Sequence, residues 1–173
     1  MLTITRKATA TAVFIFALAL MPASFAQGGA AEFSFRAIDG EPVTSQSLKG
    51  EVTVLAFGTS WLPLTRTQLE SVKKLADQYA GKGVAVYWVS VDSDNPRSKN
   101  YVADEQLREL GRKSKVTILR DSEGVASRKM GVDQLPSIVI LDKQGNIAAS
   151  IGGMDPNANL TTQLAARLDK ILK

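Results

Sequence analysis

Residues 52–70 read VTVLAFGTSWLPLTRTQLE: an apolar run, a tight turn, and the opening of an amphipathic helix. Val52, Val54, Leu55, Ala56 and Phe57 have the pattern of a buried strand, which Gly58, Thr59 and Ser60 break. Leu64, Leu69, Val72, Leu75 and Tyr79 then recur at helical spacing. The junction is Ser60-Trp61-Leu62-Pro63-Leu64-Thr65-Arg66. A helix start leaves backbone N–H groups unpaired and favours negative charge, so a chemical site is expected there.

Upstream, residues 1–26 have the pattern of an export signal. Arg6 and Lys7 form a basic start, Ala12 to Met21 is an unbroken apolar run, and Ser24-Phe25-Ala26 offers small residues at a cleavage point before Gln27. The run is well short of the ~20 apolar residues that cross a bilayer. A cleaved signal is the reading adopted, with an uncleaved N-terminal anchor as the alternative and the only route to membrane attachment. Without cysteine there is no site for lipid attachment at the signal. Residues 27–173 suit one domain able to bury a core without staples. They carry 19 basic residues against 17 acidic, because the 21 basic residues of the chain include Arg6 and Lys7. That balance gives no reason to expect nucleic acid as a partner.

The chain has neither cysteine nor histidine. Disulfides, thiolate chemistry, histidine acid-base work and metal sites built on Cys or His ligands are therefore excluded. No cofactor or metal is expected. Asp92-Ser93-Asp94-Asn95 has alternating polar ligands like the start of a calcium loop, yet lacks the glycine and closing glutamate, so a solvated loop is the expectation.

The remaining elements follow from periodicity and punctuation. Phe33, Phe35 and Ala37 alternate with polar residues, and Asp39-Gly40 marks a hairpin turn before Pro42-Val43. Strands are predicted at 84–91, 116–119, 138–141 and 146–151, and helices at about 103–112, around Val125 to Met130, and from about Asn157. The last helix sets Leu160, Leu164, Leu168 and Ile171 on one face. Such an order implies an α/β fold with a mixed central sheet flanked by helices, preceded by an N-terminal β-hairpin.

Two motifs about seventy residues apart carry a resemblance. The first is S-W-L-P-L-T-R at 60–66, which resembles S-W-C-P-x-C-R with both cysteines replaced. The second is G-V-x-x-x-P-S at 131–137, followed by an apolar strand and D-K-x-G-N-I. Together they are similar to the redox turn and the cis-proline loop of the thioredoxin-like superfamily, in its redoxin branch of envelope thiol-disulfide oxidoreductases. The resemblance implies a thioredoxin-like fold over 27–173, with Leu62 and Thr65 at the positions of the two thiols and Gln68 at that of a buried glutamate. It also implies a groove with Trp61, Leu62, Pro63 and Leu64 on one side and Leu135 and Pro136 on the other, the residue before the proline presenting its backbone to an extended segment. Thiols and acid are missing together, which points to a redox-inactive module binding a protein or peptide segment of the envelope.

Other readings of these residues stand beside that one. Leu62 and Leu64 could pack onto the core instead of lining a groove. Thr65 and Arg66 could form an anion site or a hydroxyl nucleophile, although no histidine exists to activate Thr65, or Thr65 could satisfy a first-turn N–H with Arg66 solvated. The family's thiol-disulfide role, in envelope redox homeostasis or cytochrome maturation, and a structural subunit binding through another surface are the alternative functions.

Overall fold

The computed structural model describes residues 32–155 and 158–173; the signal assigned to 1–26 lies outside them. Among the described residues seven strands form one mixed sheet in the order β2-β1-β5-β4-β3-β6-β7. In chain order the elements are β1 (Ser34–Ala37), β2 (Val43–Thr44), β3 (Val52–Gly58), α1 (Thr65–Gln78), β4 (Val84–Ser90), α2 (Asp104–Ser114), β5 (Ile118–Arg120), α3 (Val125–Lys129), β6 (Ser137–Leu141), β7 (Ile147–Gly152) and α4 (Leu160–Ile171). β3 pairs in parallel with β4 and antiparallel with β6, and β4 pairs in parallel with β5.

The alternation of side chains along β3 divides the core between the two faces of the sheet. Val52, Val54 and Ala56 meet Leu69, Val72 and Leu75 of α1 and Leu160, Leu164 and Leu168 of α4. Leu55 and Phe57 meet Phe33, Phe35, Ala126 and Met130 on the other face. Every residue of β3 is buried, as a continuous apolar strand covered on both sides requires.

Several boundaries differ from those read in the sequence. Strand pairing at β5 begins only at Ile118, opposite Trp88, and runs on to Arg120. Val116 instead closes the end of α2 through its N–H to the Gly111 carbonyl (3.2 Å), after Lys115 has turned the chain with φ 55°. α4 starts at Leu160, because the Asn159 side chain accepts from the Thr162 N–H (3.0 Å) and caps it there. Residue Asn157, where the sequence suggested the start, lies outside the described residues.

Candidate functional site

The C-terminal end of β3 delivers the chain into a turn tied down at both ends. The Ser60 N–H donates to Asp92 Oδ2 (2.8 Å), which also accepts from Ser90 Oγ (2.9 Å) at the end of the neighbouring strand. The Thr59 carbonyl accepts from the Thr65 hydroxyl (2.5 Å) and the Leu62 N–H (3.4 Å), and the Thr65 N–H donates to the Leu62 carbonyl (3.0 Å). Thr65 is buried and its hydroxyl committed to Thr59, so it neither caps α1 nor faces a ligand as a nucleophile. Leu64 holds the N-cap position without a side-chain cap, and no acidic residue occupies the first turn. Arg66 is 89% exposed and pairs with Glu70 at 3.2 Å, the solvated role.

Gln68 lies fully buried behind this turn. Its Nε2 donates to the carbonyls of Phe57 (3.2 Å) and Ser137 (3.3 Å), and its Oε1 accepts from the Trp88 indole N–H (2.9 Å). One neutral amide thus joins the strands β3, β4 and β6 at the level of the turn, with both donor and acceptor ends used. A carboxylate offers no donor to those two carbonyls. The amide also explains Gly58: a Cβ there would lie 2.8 Å from Gln68 Oε1 and 3.0 Å from the Trp88 ring, too close for any other residue without a shift. Neither Gly58 nor Trp88 was legible as part of the site from sequence, because their contacts span separate elements.

Across from the turn, the Leu135–Pro136 peptide bond is cis. Pro136 is buried and Leu135 half-buried. Neither the N–H nor the C=O of Leu135 has a hydrogen-bond partner among the described residues. Between the two segments runs a groove of about 480 Å³, walled by Trp61 and Leu62 on one side and Val132 and Leu135 on the other, with Thr59 and Val91 among its lining residues. Trp61 is 63% exposed. Asp133 is the one ionisable residue of that lining. The structure therefore brings Trp61, Leu62 and Leu135 together. Pro63 lines a second groove of about 530 Å³ between α1 and α2, which Leu62 shares, and half-buried Leu64 starts the helix.

The arrangement offers apolar walls and, among the described residues, a backbone at Leu135 without a hydrogen-bond partner. No thiol is present to exchange. The calcium-like run does not converge, since Asp92 turns inward to Ser60 and Ser90 while Asp94 accepts from Ser122 Oγ (3.0 Å). Among the described residues no cluster of three or more Asp or Glu could hold a metal.

Comparison with known proteins agrees with this architecture. The chain is 28% identical over 130 residues to the thiol:disulfide interchange protein DsbE of Pseudomonas aeruginosa, covering 75% of this chain and 67% of that protein. It is 24% identical over 127 residues to the thiol-disulfide oxidoreductase ResA of Bacillus thuringiensis, covering 73% and 69%. Among solved structures, the exposed lipoprotein thioredoxin Etrx1 of Streptococcus pneumoniae superposes with a TM-score of 0.65 at 20% identity, over 81% of this chain and 99% of that one. A thioredoxin family thiol:disulfide interchange protein of Chlorobium tepidum gives 0.65 at 17% identity, over 84% and 96%. The family model of the AhpC/TSA family matches residues 27–150, and the chain belongs to that thioredoxin-like family, as a member without cysteine.

Proposed function

We propose that this protein is a redox-inactive thioredoxin-like module of the cell envelope that holds an extended segment of a partner protein in the groove between Trp61-Leu62 and Leu135-Pro136. The observation that supports this most directly is the unpaired backbone of Leu135, set beside an apolar groove and opposite a turn whose thiol positions hold Leu62 and buried Thr65. Gln68 supports it from behind, as a hydrogen-bonded amide in place of a titrating acid. Export follows from the Arg6-Lys7 start, the apolar run to Met21 and the small residues before Gln27.

The test compares what wild type and Leu135→Asp retain from envelope extract. A charge on the half-buried wall of the groove is expected to abolish specific retention while leaving the circular dichroism spectrum of a folded protein. Equal retention by both proteins refutes the groove reading. Family membership favours a second reading, thiol-disulfide exchange with every thiol supplied by partners. An insulin-reduction assay separates the two. Wild type is expected to match buffer, since no residue can form a mixed disulfide, and reproducible turnover by material free of host thioredoxin refutes redox inactivity.

A further inference from the structure

Among the described residues β7 is the outermost strand of the sheet, paired with β6 on one side and with no strand on the other. Edge strands carry unpaired N–H and C=O groups, and proteins ordinarily blunt them with charge, proline, brevity or a cover. The opposite edge follows that rule: β2 is two residues long and is preceded by Pro42. β7 reads Ile147-Ala148-Ala149-Ser150-Ile151-Gly152, with no charge and no proline. Its one irregularity lies where Ile140 pairs with Ala149 but Leu141 with Ile147, leaving Ala148 as the extra residue of a bulge. From Ala149 to Gly152 the register is regular.

Beside this edge lies a trough of about 540 Å³ between β7 and α4. Ala149, Ala166 and Ile171 give it an apolar lining, and Arg167 and Lys170 add two cations. Gln163, Ala166, Arg167 and Lys170 follow helical spacing, so one face of α4 is turned to the trough. Neither Arg167 nor Lys170 has an ion-pair partner among the described residues, a state shared with Lys74 of α1, whereas Arg66, Lys73, Arg108, Arg112 and Lys113 on α1 and α2 each have one. Asp169, on the same helix, is engaged elsewhere by the Tyr79 hydroxyl (2.7 Å).

We infer that the β7 edge is a strand-addition site for an extended segment of a partner protein in which an acidic side chain lies two residues from an apolar one. A strand added there runs about 4.8 Å from β7, and alternate side chains of it face α4. Those side chains enter the trough, the apolar one over Ala149 and Ala166 and the acidic one toward Arg167 and Lys170. A second copy of this chain is a poorer occupant. Its β7 brings no carboxylate, and two-fold antiparallel pairing sets the α4 helices side by side, Arg167 and Lys170 of one facing those of the other. The site is separate from the Leu62–Leu135 groove and stands independently of the function proposed for it.

The probe is the N-acetylated peptide Thr-Val-Thr-Glu-Thr-Val-Thr-Glu-Thr, titrated into the full chain and read by amide hydrogen exchange and by anisotropy of a labelled peptide. Binding is expected to slow exchange at β7 amides. The exposed-site variant Arg167→Glu with Lys170→Glu is expected to weaken it about tenfold, through loss and reversal of two surface charge pairs. A peptide with lysine in place of glutamate is expected to recover affinity for that variant alone. Four results overturn the inference: no protection at β7, equal binding of both peptides by wild type, protection confined to the Leu62–Leu135 groove, or peptide-independent self-association that protects β7.

Discussion

Gln68→Glu changes one NH2 group to oxygen at a fully buried position and tests the reading of the site most sharply. The Trp88 indole bond survives, but the two carbonyls of Phe57 and Ser137, now 3.2 and 3.3 Å from an amide donor, face an acid instead. If protonated, the new acid serves one of them and orphans the other, at about 1–3 kcal/mol. If ionised, it presents a carboxylate oxygen to both, out of reach of water. Burial and the two carbonyls thus raise the folded-state pKa above the unfolded value of about 4.3. A raised folded pKa means that stability is whole below the unfolded pKa and is lost as pH rises toward the folded one. The loss is about 1.4 kcal/mol per unit, so up to ~3.7 kcal/mol disappears between about pH 4.3 and about pH 7. Urea unfolding of wild type and variant at both pH values measures the difference, which is expected to widen from about 1–3 kcal/mol to as much as about 5–7 kcal/mol. A variant within about 0.5 kcal/mol of wild type at the higher pH, or a difference independent of pH, refutes the hydrogen-bonding role assigned to Gln68.

Leu62→Cys with Thr65→Cys should form an internal disulfide in air and acquire insulin reductase activity, since the turn keeps its ties to Thr59 and Asp92; a folded double variant that stays reduced in oxidised glutathione counts against the resemblance of this turn to the redox turn. Thr59→Val removes a buried hydroxyl that has no partner among the described residues, so chemical denaturation should find the variant equal to wild type or up to about 1 kcal/mol more stable, and a clear loss shows that the hydroxyl is engaged. Asp104 accepts from Arg36 and from buried Arg120, and those contacts, Arg36 first, hold its carboxyl down to about 2. Its contribution is present above the unfolded pKa of about 3.9 and lost as pH falls toward 2, so Asp104→Asn should flatten the acid dependence of the melting temperature in that window; parallel acid profiles of the two proteins contradict the pairing.

The strands and helices that are periodic and apolar could be read from the chain alone, and β3 with α1 most clearly, because an apolar run followed by a helical repeat has one outcome. β5 could not. Its pairing stretch ends in Arg120, a charged residue that pattern reading places outside, yet Arg120 is buried and donates to the carbonyls of Ser93 (2.6 Å) and Val102 (2.6 Å). Those partners belong to an irregular loop, and no local spacing announces them. The site divides in the same way. Trp61, Leu62 and Leu135 were named from motif positions, whereas the Gln68–Trp88 bond joins residues on different elements and Gly58 matters through a side chain it does not possess. Thr65 shows the limit from the other side: a hydroxyl at a helix start suggests a cap, and only the fold of the turn directs it to the Thr59 carbonyl.

Leu62 belongs to both grooves that flank the turn, one toward Leu135 and one toward α2. It is a party wall. Whatever settles on one side presses on a partition that the other side also uses, so trimming Leu62 to alanine enlarges two chambers at once and a bulkier residue narrows both. By its resemblance to the redoxin turn this position corresponds to that of a thiol, and here its side chain sets the width of two neighbouring spaces.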